Sequence, residues 1–459
     1  MTFRDQPTVD GLVALFPLGV AVTDADVMEK YRRDYTTEPP AGHPLAVVRA
    51  ESAVHVQDCL RWASEHQVTV VPRGTGTGLA GGATAVEGCI VLTLERMTGI
   101  EIDPVCAIAT VEPGALNVDV KTAAAQHGLW YPPDPASFRI SSIGGNIATN
   151  AGGLCCVKYG VTVDYVLGLD VVLADGRLVS LGGRTLKDVA GLSLVKLFVG
   201  SEGSLGVVTK AHLRLVPLPP AASTMVATFS TLRAAGEAVV AIRRRMRPSM
   251  LELLDSVILN AVEDHRPMGL DREAAALLLG QSDSPGDVRV HEVELMADLC
   301  REAGAIEVYA TADETEADQL IEVRRAAGTA LEVRGSLLTE DVAVPIDQLP
   351  ALLEIIAAIA VEHNVEIPIA AHAGDGNAHP AIIYDPKDPD HVKRAYQAFD
   401  ALLRAAIACG GTITGEHGVG RAKRHVLPEQ LGSDVLELNR SIKAALDPAG
   451  ILNPGVMFT

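Results

Sequence analysis

The chain has 459 residues, 48% of them hydrophobic, with 58 acidic side chains against 38 basic ones. That length exceeds the ~250–300 residues at which single cores stop growing, so two or three domains are expected, and the composition is that of an ordinary globular protein. A formal charge of −20 argues against nucleic acid and anionic membrane surfaces as partners. The seven cysteines include no C-x-x-C pair, so neither an iron–sulfur cluster nor a zinc ribbon is indicated, and a reducing cytoplasm fits. Cys155-Cys156 reads as small, buried, apolar packing. The opening MTFRDQPTVD has no basic stretch leading into an apolar run, so no signal peptide is expected. The most apolar run, 351–361, is interrupted by Glu354 and is too short to cross a bilayer.

In chain order, Ser52 is placed to cap a helix running to His66, with Val56, Leu60 and Ala63 on one face. Residues 68–71 read as a buried strand and 89–94 as the next. Residues 117–127 read as a helix stopped by Gly128. The segments 168–174 and 177–181 flank Asp175-Gly176 and predict a hairpin. From 207 to 216 the residues alternate, with Val207, Thr209, Ala211, Leu213 and Leu215 on one face, which predicts a half-exposed strand. Pro217-Leu218-Pro219-Pro220 is the best domain boundary. Beyond it the pattern predicts a helix over 287–303, a strand over 305–310, a helix over 315–330, a strand over 337–344, a helix over 349–363 and a strand over 365–371. Pro368 points to an edge position for the last strand. This alternation predicts an α/β sheet covered by helices.

Between the first two strands lies Pro72-Arg73-Gly74-Thr75-Gly76-Thr77-Gly78-Leu79-Ala80-Gly81-Gly82. Gly76 to Gly81 matches G-x-G-x-x-G literally. A dinucleotide fingerprint needs a helix to start there, and the chain runs straight into the next strand instead. Glycines freed of side chains can form a concave anion site without a helix, or the segment is a flexible surface loop. Two further clusters, Ser141–Gly153 and Gly200–Gly206, point to one large phosphate-bearing ligand wrapped by backbone donors. No Walker A pattern occurs.

The second region carries His372-Ala373-Gly374-Asp375-Gly376-Asn377-Ala378-His379 and, further on, Gly415-Glu416-His417-Gly418. Two histidines and a carboxylate are the ligand set of an open divalent-metal site. His417, next to the carboxylate, is placed to act as a base. His372 and His379 also read as hydrogen-bonded core histidines, and Asp375 and Asn377 as turn formers.

Pro72–Gly82, Pro132-Pro133-Asp134-Pro135, Ile143–Gly153 and Gly200–Gly206 together resemble the FAD-binding domain of the vanillyl-alcohol oxidase / p-cresol methylhydroxylase superfamily. His372–His379, Gly415–Gly420 and Leu452-Asn453-Pro454-Gly455 resemble the C-terminal domain of FAD-linked D-2-hydroxy-acid dehydrogenases, the branch of D-lactate dehydrogenase and the glycolate oxidase flavin subunit. The resemblance implies an α+β fold. It comprises a two-subdomain FAD-binding domain over 1–217, an α/β substrate domain with an antiparallel sheet over 218–430, and a C-terminal segment over 431–459 returning to the FAD site.

The resemblance also assigns roles. Pro72, Arg73, Gly74, Thr75, Gly76, Thr77, Gly78, Leu79, Gly81 and Gly82, with Gly144, Gly145, Asn146, Thr149, Asn150 and Gly152, would cradle the FAD pyrophosphate and approach the flavin. Pro133, Asp134 and Ser137 would lie along the isoalloxazine, Glu202, Gly206 and Val207 would meet the adenosine or ribitol part, and Asn453 would return to the flavin. His372, His379 and Glu416 would bind a divalent metal (zinc, with manganese or iron as alternatives), His417 would be the base, and Arg324 would hold the substrate carboxylate. Gly74–Gly78 has no His or Cys, so FAD is expected to be non-covalent. Thr339-Glu340-Asp341 is acidic where dicarboxylate-oxidising members carry a basic residue, which points to a monocarboxylate.

The activity so implied is oxidation of a D-2-hydroxy acid, D-lactate first, to the 2-oxo acid. D-2-hydroxyglutarate or glycolate oxidation, or a flavin subunit of a larger oxidase, is the alternative. A flavin-free metal hydrolase leaves the glycine clusters unexplained, and an alkyl-glycerone-phosphate synthase type would use the same fold without net oxidation. Electrons would leave to a quinone, cytochrome, electron-transfer flavoprotein or oxygen. A homodimer is compatible with the resemblance, as is a cytoplasmic protein peripheral to the membrane.

Overall fold

The computed structural model describes residues 9–36 and 39–458, with the backbone alone at 314. The first eight residues of the stretch read for a signal peptide lie outside them. The chain divides into two compact units. One comprises the chain up to Ala151, Val161–Leu218 and Glu416 onwards; the other comprises Gly152–Gly160 and Pro219–Gly415. The division at Leu218/Pro219 falls in the proline-rich stretch. The return to the first unit comes at Glu416, whereas the sequence places the end of the second domain at 430. No helix among the described residues is long and apolar enough to cross a membrane.

The first unit holds two main sheets. In one, strands Ala21–Val22, Ala46–Arg49, Ile90–Thr93 and Val70–Arg73 lie side by side in that order. The last three are parallel and the first is antiparallel. Helix Ala53–His66 starts where Ser52 accepts from the His55 amide, as its position before an apolar-periodic run predicts. It buries Val56, Leu60 and Trp62 with Val70, Ile90 and Leu92. Each such side chain contributes about 1.5–3 kcal/mol when fully buried. Ile451 and Leu452 join the same core, and Leu452 bridges Val70 in parallel. The other sheet is antiparallel, in the order Ile100–Asp103, Ile108–Val111, Val207–Arg214, Val166–Val172, Leu178–Gly182. The Asp175-Gly176 turn joins the last two strands, with Gly176 at φ +79°.

The second unit is an eight-stranded antiparallel sheet. Its order is Glu307–Thr311, Ser223–Phe229, Ala276–Ser282, Met250–Asp255, Ile369–His372, Asn377–Tyr384 and Ser336–Thr339, with Val342–Ala343 also pairing Asn377–Tyr384. Helices Ser256–His265 and Glu314–Glu332 bury Ile258, Val262, Ile321, Val323 and Ala327 against Leu254, Leu277 and Leu279.

Three expectations are corrected here. Ile369–His372 is an interior strand, not an edge. It begins just after Pro368, which stands opposite Ala381: its carbonyl accepts from the Ala381 amide at 3.0 Å, and only the return bond is lost with the missing proline N–H. The strand predicted over 337–344 breaks at Glu340-Asp341, because the Asp341 carboxylate is drawn inward to Asn377, Thr414 and Gly415. Cys155 and Cys156 are half-buried rather than buried, and Val157 supplies the packing of their short helix.

Candidate active site

In the first unit the three glycine segments meet one another. A β-carbon on Gly74 would stand 2.4 Å from the Ser142 hydroxyl, and one on Gly82 would stand 3.2 Å from the Glu202 carboxylate. The Gly200 and Glu202 amides donate to the carbonyls of Ile147 and Ala148 at 2.9 and 2.8 Å. The second segment forms a short helix, Ile143–Thr149, that the sequence reading leaves unassigned. Ser142 caps it, and Gly144 fits because a β-carbon there would meet Pro113 at 2.7 Å. The first segment forms no helix, and Gly76 and Gly81 take φ of +81° and +75°. β-Carbons at these glycines thus have little room where the segments converge, which leaves the glycine main chain uncovered there. That construction fits a large phosphate-bearing cofactor.

Side chains fix this main-chain wall from behind. Buried Asp34 accepts from the Thr84 hydroxyl and the Ala83 amide, and burial holds its carboxyl above the usual range. Arg73 donates to the Arg33 carbonyl at 2.7 Å. Asn117 donates to the Pro133 carbonyl at 3.1 Å and to Asn146 Oδ1 at 3.0 Å, and Lys121 donates to the Pro132 carbonyl at 3.2 Å. Pro133 is buried, whereas Asp134 and Ser137 are half-buried. Thr149 donates to the Gly145 carbonyl, and Asn150, at φ +54°, accepts from the Val163 amide. Gly152 belongs to the second unit.

Two residues expected to meet FAD have protein partners for their side chains. Val207 is a core side chain. Glu202 accepts from the Val419 and Gly420 amides, each at 2.8 Å, so both its oxygens hold the loop that follows Glu416-His417. Burial is the largest influence on Glu202 and pushes its carboxyl up to about 7, against the lowering by those two amides. Asn453 donates to the carbonyls of Gly82 and Glu202 at 2.8 and 2.7 Å. Lys443 donates to those of Ser204 and Leu452 at 2.7 and 2.8 Å. The C-terminal segment is thereby tied to the first and third glycine segments. Within this unit His417 Nε2 lies 3.9 Å from Glu416 Oε1.

In the second unit His372 ends one strand and His379 sits three positions into the next. Gly376, at φ +74°, makes the turn between them; a β-carbon there would strike the Val344 carbonyl at 2.2 Å. The register pairs His372 with Asn377, so His379 lies diagonally across on the same face. The two rings meet edge to face with centroids 4.9 Å apart.

Each histidine has a buried carboxylate beside it. His372 Nδ1 is 2.8 Å from Glu252 Oε1, and His379 Nδ1 is 3.8 Å from Asp341 Oδ1. Asn377 is a tie to Asp341 at 2.7 Å rather than only a turn residue, and the Thr414 hydroxyl and Gly415 amide donate to the other Asp341 oxygen at 2.7 and 2.8 Å. A β-carbon on Gly415 would strike the Asn377 amide at 2.5 Å. One peptide bond then leads to Glu416.

Glu340 and Asp341 are fully buried, and Asp341 accepts from Asn377, Thr414 and Gly415. Arg324 donates through Nε to Glu252 Oε2 at 2.7 Å and is half-buried. Tyr159 donates to Asp283, a structural use. Sequence reasoning misses Glu252. Its signal is a lone charge inside the apolar run Met250-Leu251-Glu252-Leu253-Leu254, where a side chain that is buried needs a partner.

The main-chain cradle and the His-bearing antiparallel sheet fit a flavin-dependent oxidoreductase, and the family comparisons establish that class. The chain matches the FAD-binding domain model over residues 44–182 and the model for the C-terminal domain of FAD-linked oxidases over residues 218–457. The protein belongs to the FAD-linked oxidases. Among its relatives, the glycolate oxidase subunit GlcD of Bacillus subtilis is 42% identical over 418 residues, covering 90% of this chain and 89% of that one. A D-lactate dehydrogenase of Archaeoglobus fulgidus is 36% identical over 434 residues, covering 93% and 95%. The fold is that of p-cresol methylhydroxylase in its substrate-bound crystal structure, with TM-score 0.80 at 20% identity over 98% of this chain and 95% of that one. The α+β expectation and the FAD expectation hold.

Proposed function

We propose that the protein oxidises a small D-2-hydroxy monocarboxylate, with D-lactate the leading candidate, to the 2-oxo acid. The observation that carries this reading is the pairing of buried His372 with half-buried His379, each ring beside a carboxylate, in a chain whose relatives are named for glycolate and D-lactate. Both acids are monocarboxylates, in keeping with the repulsion of a second carboxylate by Glu340-Asp341.

In this reading His372, His379 and Glu416 hold one divalent metal, with zinc the first choice and manganese or iron(II) as alternatives. When bound, the FAD supplies a two-electron acceptor and the metal a Lewis acid for the hydroxyl and carboxylate oxygens. His417 accepts the hydroxyl proton. The outer edge of the Arg324 guanidinium pairs with the substrate carboxylate while its Nε stays on Glu252. The substrate loses its hydroxyl proton and its α-hydrogen with two electrons. No cysteine cluster exists in the sequence to store those electrons, so they pass to an external quinone, cytochrome, electron-transfer flavoprotein or oxygen. Gly74–Gly78 has no His or Cys for a flavin linkage, so the FAD is non-covalent.

The assignment is tested by elemental analysis of His372→Ala. Loss of metal with FAD retained supports it, and unchanged metal content refutes it. Acid precipitation should release the yellow flavin into the supernatant; flavin left on the denatured chain would contradict non-covalent binding.

A further inference from the structure

Glu252 sits in the middle of strand Met250–Asp255, and its side chain is 1% exposed. The pairs Leu253↔Ala371 and Leu254↔Ala370 continue to set Glu252 opposite His372 across the sheet. Its two oxygens have different partners: Oε1 faces His372 Nδ1 at 2.8 Å and Oε2 receives Arg324 Nε at 2.7 Å. Leu251 and Leu253 on either side are buried apolar residues.

We propose that Glu252 is the positioning residue that sets the tautomer of His372 and the placement of Arg324. This rests on His372 being a metal ligand. A carboxylate only accepts, so His372 Nδ1 must carry the proton, which puts the lone pair on Nε2, the nitrogen that would face a divalent cation. Carboxylates in this position behind a metal-binding histidine orient the ring and raise its basicity, and losing one typically costs about 10–100-fold in metal affinity. Arg324 keeps the arrangement affordable, since a buried carboxylate without a cation is strongly unfavourable. An ion pair that served the sheet alone would need only one of the two oxygens; the second is spent on a ring. Glu252 therefore joins the proposed metal ligand to the proposed substrate-binding cation. Neither can shift without disturbing the other.

The test uses FAD-loaded protein stripped of metal and titrated with Zn²⁺ against a competing chelator. Glu252→Gln keeps the shape but offers an amide that donates to Nδ1 and selects the wrong tautomer. It should lower Zn²⁺ affinity about 10–100-fold while FAD stays bound. Glu252→Asp, still acceptor-only, should recover part of the loss. Arg324→Gln should weaken Zn²⁺ by a smaller factor, and it serves as the deciding variant if Glu252→Gln does not fold. His372→Ala is the control. If it abolishes Zn²⁺ binding while Glu252→Gln, or Arg324→Gln in its place, binds like the native protein, the role of Glu252 is overturned and the metal site stands. If His372→Ala itself binds Zn²⁺ normally, the metal reading fails and takes the Glu252 proposal with it.

Discussion

The cofactor-side unit and the histidine-bearing unit solve the same problem by opposite means. In the first, three glycine segments approach until β-carbons have no room, as at Gly74 against Ser142, and the functional surface is main chain. In the second, the candidate groups are side chains, with a buried carboxylate beside each histidine: Glu252 at His372 and Asp341 at His379. A backbone-built site is damaged by adding atoms and a side-chain-built site by removing them. The two kinds of damage should therefore separate cleanly into cofactor loss and metal or rate loss.

The largest expected effect comes from removing a side chain. His417→Gln should slow substrate-dependent flavin reduction by about 10²–10⁴-fold, the usual worth of a general base. Stopped-flow absorbance follows it, and FAD and metal content should stay normal. If metal is lost along with rate, His417 instead orients Glu416. Adding an atom should act next. Gly74→Ala forces a β-carbon to 2.4 Å from the Ser142 hydroxyl. Overpacking of about 1–3 kcal/mol should weaken FAD binding by roughly ten- to a hundredfold while Zn²⁺ affinity is unchanged. Fluorescence titration of the apoprotein with FAD reads this, and equal losses of FAD and Zn²⁺ would break the contrast.

The effect that touches neither cofactor nor metal is on stability. Buried Asp255 accepts from the Ile258 and Ile369 amides, each at 2.9 Å, yet burial pushes its carboxyl from 3.8 up to about 7. The folded state then holds the proton more tightly than the unfolded chain. Its contribution is present in full below pH ~4 and is lost as pH rises to about 7, at no more than ~1.4 kcal/mol per unit. In urea unfolding, the stability difference between the native protein and Asp255→Asn should shrink from pH 5 to 7 and level off above. A difference that grows over that window would contradict the assignment.

The parts of this molecule legible in the sequence are those carried by residue type at short spacing. The glycine clusters, the Gly-Asp-Gly-Asn turn between His372 and His379, and the Ser52 cap all declare themselves locally. Non-local geometry hid the rest. Glu340-Asp341 looks like part of a strand until Thr414 and Gly415, distant in sequence, are seen to pull Asp341 inward. The bonds from the Val419 and Gly420 amides to Glu202 are equally distant in sequence, and nothing near Glu202 announces them. The helix at Ile143–Thr149 is masked by its glycines, which lower helix propensity yet are required by the closeness of Pro113. Pro368 points to an edge strand, whereas it stands just before an interior one.

The central claim is that bound FAD is reduced by a D-2-hydroxy monocarboxylate. Anaerobic mixing of the holoprotein with D-lactate, L-lactate, glycolate and D-2-hydroxyglutarate, while flavin absorbance is recorded, tests it most directly. The account predicts rapid bleaching with D-lactate, little with L-lactate, and a lower specificity constant for D-2-hydroxyglutarate than for the preferred monocarboxylate. An unbleached flavin with every 2-hydroxy acid, or a preference for D-2-hydroxyglutarate, would contradict it.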